Sequence, residues 1–489
     1  MSSPRHGEMM LRKGPNLASA SGHEPSATSL PDIPASSART GFGFMFEDLP
    51  KHAENLLIEN PETVKNLMAL GNSMRADPAK PDIHTGIPAI YTYFGQFITH
   101  DISFEEVKQN IPLNESLVPL PYDRIIDYIK NTRTGMLDLD SVYGQVSGQT
   151  NSPVPRVGNE LLVERAIKSL DGTDLPRETS EPYAARIGDT RNDENLIVSQ
   201  LHLAFLRAHN ALVKKGSSFD EARVSLRQHY QWIIIKDFLT QIANPDIVQQ
   251  VLDGRINRYP RGDSFFMPLE FSAAAFRFGH SMVGNVYRYN NSFKAAQLYQ
   301  LVMPDALGKY FHILESWIID WAEFLPKGAN LARPIVTSLV EPLAQLTQLI
   351  DQKKLNFSLA VRDLLRGYLL RLPTGQAVAK KLGYLAMTRD QILTVVEGTD
   401  RAVEQQRILE DPATRFLERT PLWFYILAEA AYFGDGKRLG PVGSTIVASV
   451  LIGLVRLSKD SFLNNPEWAP MSEQFGLPEF FRLAGVLAV

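Results

Sequence analysis

The sequence predicts one large, mainly α-helical domain with a loop-rich insertion and little β-structure. After residue 40, apolar residues recur mostly at intervals of three and four, as they do on one face of a helix. Alternating stretches that would indicate strands are few and short. Residues 109–192 differ from the rest, because they are rich in Pro, Gly, Asn and Asp. A long irregular segment of this kind is typical of functional loops or ligand sites.

The clearest helical patterns lie in the middle of the chain. Leu201, Phe205, Ala208 and Leu212 share one face of a helix over about residues 195–215. Similar spacing predicts the next helix from about residue 219 to 243. Further helices are predicted near residues 55–70, 87–100, 270–283, 307–324, 337–352, 358–371, 389–398, 416–433 and 442–456.

Composition indicates a folded protein with an irregular beginning. Of the 489 residues, 44% are apolar and 21% are charged, which is typical of globular domains. Residues 1–40 are rich in Ser and Pro and contain no aromatic residue, so we expect a flexible tail there. No Gly/Ser linker divides residues 41–489, so we expect a single domain over that range.

Charge and hydropathy exclude several classes of protein. The net charge of −4 argues against a nucleic-acid binder, which usually has a basic excess. The first residues lack the apolar stretch of a secretory signal. The longest apolar run, Val442–Val455, is shorter than the roughly 20 residues that cross a bilayer, so a buried helix is expected. We therefore expect no nucleic-acid partner, no transmembrane segment and a cytoplasmic location, with export without a leader left open.

Two histidines are the first candidates for chemistry, because the chain has no cysteine. His100 follows Gln96 by one helical turn, and His280 follows Phe276 by the same interval. A lone histidine on an apolar helix is more often a packed core residue. Two such histidines, with no carboxylate at ligand spacing, fit haem better than zinc. Zinc needs three or four protein ligands, whereas haem needs one axial histidine.

Five segments carry a family resemblance when they are taken in order. They are Thr92–Asp101, Arg133–Gly144, Arg191–Glu194 with the following His202–Asn210, Ala275–His280 and Leu422–Leu454. Together they resemble the animal-type haem peroxidases, the peroxidase–cyclooxygenase superfamily, and the last segment is similar to its bacterial members. The resemblance spans about residues 45–470 and implies the helical haem peroxidase fold, with haem b and Ca²⁺ as cofactors.

The resemblance implies a distal catalytic group of three residues. His100 would accept a proton from hydrogen peroxide and return it to the departing oxygen atom, so that water leaves. Gln96 would hydrogen-bond ligand or water in the same pocket. Arg191 would stabilise the negative charge that develops as the oxygen–oxygen bond breaks. Without the family, Arg191 would be read as a member of a surface salt bridge.

The haem-binding residues follow from the same resemblance. His280 would be the axial ligand of the iron, and Asp363 would accept a hydrogen bond from its other ring nitrogen. The family has an asparagine at that place, so Asp363 predicts a more electron-donating imidazole and a lower iron potential. Arg366 would bind a haem propionate, and Arg277 fits a second propionate contact.

Comparison with the branches of the family limits the chemistry. Glu194 keeps the position of a glutamate that forms an ester to haem in the myeloperoxidase branch, so one ester link stays open. Thr99 replaces the aspartate of a second ester, and Asn195 replaces the methionine of a sulfonium link, so strong chloride oxidation is not expected. Arg277 stands where cyclooxygenases and α-dioxygenases carry a radical-forming tyrosine. Fatty-acid oxygenation by that route is therefore disfavoured.

A calcium site is implied by the segment that resembles the calcium loop. Its candidate ligands alternate along the loop, and the residue after His100 adds a further carboxylate. Hard oxygen ligands with several carboxylates suit Ca²⁺. The candidates are Asp101, Thr134, Met136 (through its carbonyl), Asp138 and Asp140.

The function expected from these residues is a haem-dependent peroxidase, an oxidoreductase with a part in the response to oxidative stress. Its partners would be hydrogen peroxide and a small electron donor, either a phenol or bromide and iodide. Two alternatives remain: a fatty-acid dioxygenase-like oxygenase of the same fold, and a non-catalytic scaffold that binds haem or calcium. The sequence does not identify the physiological donor.

Overall fold

A computed structural model describes residues 41–107, 117–144, 154–167, 172–259, 265–298, 312–343 and 358–488. The expected tail, residues 1–40, lies outside the described residues. Helices dominate the described part, as the sequence predicts. They are α1 Pro61–Ser73, α2 Ile90–Ile102, α3 Tyr122–Tyr128, α4 Asp140–Tyr143, α5 Leu196–Lys214, α6 Phe219–Ile233, α7 Leu239–Ile242, α8 Pro245–Leu252, α9 Leu269–Ser272, α10 Gly279–Met282, α11 Leu359–Leu369, α12 Gly375–Leu382, α13 Arg389–Glu397, α14 Ala402–Leu409, α15 Leu422–Gly434, α16 Pro441–Leu457 and α17 Leu477–Leu483.

The strands are short and pair two by two in the described residues. The parallel pair joins β1 to β8, and the antiparallel pairs are β2 with β3, β4 with β5, β6 with β7, and β9 with β10. Several of them lie in the predicted loop-rich insertion. Their bounds are β1 Phe42–Gly43, β2 Glu105–Val107, β3 Ile129–Asn131, β4 Arg156–Val157, β5 Glu160–Leu161, β6 Glu164–Arg165, β7 Gly172–Asp174, β8 Met267–Pro268, β9 Val286–Tyr287 and β10 Ala296–Gln297.

The two strongest helical predictions are confirmed, and side-chain caps fix where these helices begin. At the start of α5, the side chain of Asn195 accepts a hydrogen bond from Val198 N. At the start of α6, Ser218 and Glu221 form a capping box, in which each side chain bonds the other's backbone N–H. A π-helical turn, Ile234–Phe238, joins α6 to α7, so the predicted helix over about 219–243 is one run.

An aromatic cluster fixes the helix that carries His100. Phe97 of α2 stacks on Phe205 of α5 with ring centroids 4.4 Å apart. Tyr230 of α6 meets both rings edge-on, at 6.1 and 5.6 Å. Such pairs contribute about 0.5–1.5 kcal/mol each beyond the area that they bury. Because Phe97 lies one turn before His100, the cluster sets the position of that histidine.

The apolar C-terminal run forms the buried helix that the sequence predicts. All of Val442–Val455 is buried within α16. The buried carboxylate of Glu429 accepts hydrogen bonds from Val442 N and Gly443 N, which are N–H groups of the first turn of α16 and have no partner within the helix. Among the described helices, none is both long and apolar enough to span a membrane.

The predicted helix over 307–324 is wrong in its described part. Residues 312–324 contain only the 3₁₀ turns Glu315–Trp317 and Trp321–Glu323. The backbone of this stretch bonds elsewhere: Ile167 N donates to Ile313 O at 2.8 Å, and Glu315 N donates to Ile167 O at 3.1 Å. An isolated β-bridge to Ile167, far away in sequence, therefore takes hydrogen bonds that a helix would need.

The predicted helix near 270–283 is interrupted rather than continuous. It consists of α9, a 3₁₀ turn at Ala275–Arg277 and α10. Ala274 has φ −139° and ψ −71°, which lies outside the helical region and breaks the run. Of the predicted helix near 337–352, residues 344–352 lie outside the described residues.

Candidate active site

The imidazole of His100 is fully buried near the end of α2. Its Nδ1 lies 2.8 Å from Asn192 Oδ1. An amide oxygen only accepts hydrogen bonds, so Nδ1 carries the proton and the ring lone pair lies on Nε2. Burial and the charge of Arg191 lower the pKa of His100 from 6.5 to about 3. The ring is therefore neutral near pH 7, which is the form that a general base requires.

Gln96 lies one turn before His100, as the sequence predicts, and it is half-buried. Among the described residues, its amide has no hydrogen-bond partner. Side chains four residues apart lie on the same face of a helix. Gln96 can therefore serve a ligand beside His100.

Arg191 holds the end of the same helix. It lies in a 3₁₀ turn, Thr190–Asp193, and its Nη2 donates to His100 O at 3.0 Å and to Ser103 O at 2.8 Å. Carbonyls at the end of a helix lack partners within the helix, so Arg191 satisfies them. Its Nε and Nη2 also bond the carboxylate of Asp189, at 3.1 and 2.6 Å. Arg191 Nη1 makes no hydrogen bond to any described residue, which leaves that nitrogen to a ligand.

His280 has a charged partner. Its Nδ1 lies 2.6 Å from Asp363 Oδ2, and the other oxygen of Asp363 lies 2.5 Å from Arg277 Nη1. An ionised carboxylate only accepts hydrogen bonds, so His280 Nδ1 donates and the ring lone pair lies on Nε2. Burial opposes the ionisation of Asp363, but the contacts with His280 and Arg277 outweigh it and lower the pKa of that carboxyl below 3.8.

Arg277, expected at a propionate, has protein partners for two of its nitrogens. Its Nε donates to Ser272 O at 3.0 Å, and its Nη1 bonds Asp363. The indole N–H of Trp423 donates to Arg277 O at 3.2 Å, and the Trp423 ring meets His280 edge-on at 6.4 Å. These contacts join Arg277, Asp363 and His280 into one group.

The other two predicted haem contacts are also buried. Arg366 follows Asp363 by one turn on α11 and pairs with Glu105 of β2. Burial lowers the pKa of Arg366 from 12.5 to about 10, so it remains a cation at neutral pH. Its Nε is buried and has no hydrogen-bond partner among the described residues. Glu194 ends the 3₁₀ turn that carries Arg191 and is 7% exposed.

These residues fit a haem. Helix α10, which carries His280, packs against α2, which carries His100. Both imidazoles donate through Nδ1, so each keeps its lone pair on Nε2. A neutral imidazole with its lone pair on Nε2 can bind haem iron, as proposed for His280, or accept a proton, as proposed for His100. The buried guanidinium of Arg366, whose Nε is unsatisfied, suits a propionate carboxylate.

The predicted calcium ligands with carboxylates come together. Oxygen atoms of Asp101, Asp138 and Asp140 all lie within 4.8 Å of one another. Burial and the nearby Asp138 raise the pKa of Asp101 to about 7, and burial raises the pKa of Asp138 to about 6. Three carboxyls held this close repel each other when they ionise, and a divalent cation removes that repulsion.

The loop that carries these ligands is tightly held. Thr134 Oγ1 donates to Asp138 Oδ1 at 3.0 Å, and Met136 N donates to Thr134 Oγ1 at 3.2 Å. Asp140 Oδ1 is buried and has no hydrogen bond within the described residues; the nearest cation is Arg133, at 3.7 Å. The donor set of carboxylates, a hydroxyl and the Met136 carbonyl fits a hard cation such as Ca²⁺.

Comparison with known proteins bears on the family and the fold. A model of the animal haem peroxidase family matches residues 127–325, which include Arg191 and His280. Thyroid peroxidase of Rattus norvegicus is 25% identical over 370 residues, which are 66% of this chain and 38% of that protein. The chain is therefore similar to the animal haem peroxidases.

Two solved structures share the fold. Peroxidase A from Dictyostelium discoideum aligns with a TM-score of 0.58 at 15% identity, over 88% of this chain and 90% of that one. The fatty acid alpha-dioxygenase of Oryza sativa aligns with a TM-score of 0.57 at 12% identity, over 92% and 84% of the two chains. The predicted helical peroxidase fold is therefore confirmed. The chain spans less than two fifths of the length of rat thyroid peroxidase.

Two buried residues around the site, Asp189 and Asn192, were not singled out from the sequence. Asp189 bonds both Arg191 and Arg133, the second at 2.5 Å. Asn192 contacts both His100 and His202. Asn192 lies 92 positions from His100, so no local periodicity relates the two. The available signal was its place beside Arg191 in a motif of the superfamily.

Proposed function

We propose that this chain is a haem-dependent peroxidase that reduces hydrogen peroxide and oxidises small organic donors such as phenols, or bromide and iodide. One observation supports this most. The chain holds a neutral, buried His100 beside Arg191, on a helix that packs against the helix of His280. A base, a cation and an axial imidazole are the three groups that peroxide cleavage at haem requires.

The same residues indicate how haem b would be held. His280 Nε2 would bind the haem iron, and the hydrogen bond from Nδ1 to Asp363 would orient the ring. Arg366 would pair with a propionate, and Glu194 would form the single ester link. When bound, haem supplies an iron centre that exchanges electrons with peroxide and donor.

The proton transfers would be carried by His100. Its Nε2 accepts the proton of one peroxide oxygen and then delivers that proton to the oxygen that leaves as water. Arg191 Nη1 stabilises the negative charge that develops during this step, and no reorganisation is needed because Asp189 and the end of α2 already hold the guanidinium. Gln96 would hydrogen-bond the peroxide on the same face of α2.

Calcium would stabilise the distal side of the site. Asp101 follows His100 directly, so an ion bound by Asp101, Thr134, Met136, Asp138 and Asp140 would fix the end of α2. That end is where the catalytic imidazole lies. The ion therefore has a positioning role and does not take part in the proton transfer.

Spectroscopy and turnover of matched variants test the proposal. The haem-loaded protein should show a Soret band and should oxidise a chromogenic phenol only when peroxide is added. His280→Ala should lose the band. His100→Ala should keep it but lose turnover by roughly 10²–10⁴-fold, the usual contribution of a general acid–base.

His209→Ala is the control, because His209 is equally buried but bonds Tyr143 and Asn159 instead. It should keep both band and turnover. Full turnover by His100→Ala would show that the proton-transfer role is wrong. A normal Soret band without peroxide turnover in the wild type would favour the non-catalytic scaffold.

A fatty-acid oxygenase is the second candidate, because the fatty acid alpha-dioxygenase of Oryza sativa shares the fold. Uptake of oxygen in the presence of palmitic acid, without added peroxide, would support it. The place of the radical-forming tyrosine is taken by Arg277, which pairs with Asp363. This arrangement favours the peroxidase.

A further inference from the structure

We propose that Asn192 and His202 are positioning residues that hold His100 in the tautomer required of a general base. This inference deepens the proposed peroxidase function and rests on it. Asn192 lies between the two imidazoles, with its Oδ1 2.8 Å from His100 Nδ1 and its Nδ2 2.9 Å from His202 Nδ1. All three side chains are fully buried.

The amide group gives this chain of hydrogen bonds a direction. Its oxygen accepts the proton of His100 Nδ1, and its NH₂ donates to His202 Nδ1. His202 must therefore present a lone pair at Nδ1 and carry its own proton on Nε2. While His202 keeps its only ring proton on Nε2, a turned amide would place its oxygen against the lone pair of His202 Nδ1 and its NH₂ group against the proton of His100 Nδ1. Both hydrogen bonds of Asn192 would then be lost. His100 Nε2 is thereby kept as the acceptor.

The chain of hydrogen bonds ends inside the protein. His202 Nε2 is buried and makes no hydrogen bond to any described residue, and the ring lies edge-on to Phe97 at 6.2 Å. An amide does not gain or lose protons near neutral pH. Within the part of the chain that the structure describes, Asn192 and His202 thus offer no hydrogen-bonded route that carries protons to solvent. What they supply is the orientation of the imidazole.

The 3₁₀ turn that carries Asn192 holds the helix of His100 at two points. Consecutive residues of a 3₁₀ helix point about 120° apart. Arg191 bonds the backbone oxygen of His100, whereas Asn192 bonds its side chain. His202 lies on α5, which packs against α2 through Phe205 and Phe97. Two separate elements therefore fix one imidazole.

Cyanide association is a direct measure of the lone pair on His100. Hydrogen cyanide binds ferric haem as the anion, so a base in the distal pocket speeds its association. The experiment uses the haem-loaded full chain in the ferric state, and stopped-flow absorbance follows the Soret band after cyanide is mixed in. Pyridine haemochrome spectra confirm equal haem content in every variant, and melting temperatures are recorded beside them.

Three variants and one control separate positioning from stability. Asn192→Ala removes the link, His202→Phe keeps a ring of similar size without nitrogen, and His202→Gln keeps an oxygen that can accept from Asn192. His209→Phe is the matched control, because His209 lies seven residues later on α5 and is equally buried. It bonds Tyr143 and Asn159, and makes no contact with His100 or Asn192.

Asn192→Ala should slow cyanide association by roughly tenfold or more. Loss of a general acid–base usually costs at least about 100-fold, and this variant leaves the base present but without its holding contact. His202→Phe should slow it in the same direction, His202→Gln should recover most of the rate, and His209→Phe should match the wild type. A merely structural role would lower the melting temperatures of His202→Phe and His209→Phe alike and leave both rates unchanged.

Wild-type cyanide kinetics in Asn192→Ala, at equal haem content, would overturn the inference while the proposed function stands. If Asn192→Ala does not fold, His202→Phe decides by the same criterion. Absence of a Soret band in the wild type would instead refute the proposed function and the inference together.

Discussion

The two sides of the candidate site hold their histidines in opposite ways. His100 donates its Nδ1 proton to the neutral amide of Asn192, whereas His280 donates to the carboxylate of Asp363. A neutral acceptor fixes the tautomer of an imidazole and leaves its basicity little changed. A carboxylate acceptor also raises the electron density of the ring, which suits a metal ligand. The difference suits the two roles that we propose for these histidines, a base for His100 and an iron ligand for His280.

The charge on the proximal side is compensated within the protein. Arg277 Nη1 lies 2.5 Å from Asp363 Oδ1, so the carboxylate that accepts from His280 is also paired with a cation. By resemblance, Arg277 replaces a tyrosine of other branches and Asp363 replaces an asparagine. The structure brings these two departures into contact. We infer that they belong together, because without Arg277 the buried carboxylate of Asp363 would lack the cation that pairs with its Oδ1.

The largest effect is expected when that compensation is removed. Arg277→Gln removes the cation paired with the buried carboxylate of Asp363, which should lower the free energy of unfolding by about 3 kcal/mol, at the lower end of the cost of breaking a buried ion pair. The double variant Arg277→Gln/Asp363→Asn should regain most of the loss. Urea denaturation measures both.

Arg288→Gln is the control, since Arg288 forms a more exposed pair with Glu323 at 2.8 Å. Its loss should cost no more than about 1 kcal/mol. If Arg277→Gln were no more destabilising than Arg288→Gln, the compensation of Asp363 by Arg277 would be unimportant.

Removal of calcium should affect the distal side and spare the proximal side. With EGTA, the melting temperature should fall by an amount that corresponds to about 2.7 kcal/mol if the ion is present at roughly 100 times its dissociation constant. Cyanide association should slow because the end of α2 is no longer fixed, but the Soret band should persist because His280 lies on another helix. Calorimetry and stopped-flow absorbance check the two effects.

Asp138→Asn should make the protein less sensitive to EGTA, because it removes a carboxylate from the ion site. Asp253→Asn, at an exposed carboxylate paired with Arg255, should leave the sensitivity as it is. Loss of the Soret band on addition of EGTA would contradict the separation of the two sides.

The smallest effect concerns the iron potential. Asp363→Asn replaces a carboxylate acceptor by an amide, so His280 should become less electron-donating and the iron(III)/iron(II) potential should rise. A rise on the order of 60 mV corresponds to a tenfold shift of a one-electron equilibrium. Arg277 already offsets part of the charge of Asp363 in the wild type. The potential should therefore rise in the order Arg277→Gln, wild type, Asp363→Asn, so the two variants should differ from each other by more than Asp363→Asn differs from the wild type. Spectroelectrochemical titration measures it, and an unchanged or lower potential in Asp363→Asn would refute the electron-donating role.

The sequence predicts local structure well where side chains decide it locally. Helix α5 begins at its Asn195 cap, and the helix after it begins at the Ser218–Glu221 box, close to the predicted bounds. The sequence fails at 307–324, where the apolar spacing suits a helix but Ile167 bonds the backbone instead. A contact with a residue more than 140 positions away leaves no trace in a local pattern.

The candidate residues show the same division. The alternation of Thr134, Met136, Asp138 and Asp140 suggested a cation loop, and the structure gathers the carboxylates with Asp101. Arg277 was expected at a propionate, but its contact with Asp363 depends on how two distant helices pack. Residue type and spacing therefore predict which groups can meet, and packing selects their partners.

From the amino acids alone came the helical class, the absence of cysteine and the pair of histidines, because composition and periodicity are properties of a linear chain. Only the tertiary structure decided what each imidazole bonds. Hydrogen-bond partners such as Asn192 and Asp363 lie more than 80 positions from the histidines that they hold. The direction of a hydrogen bond, and with it the position of a lone pair, depends on distances of a few ångströms that only folding creates.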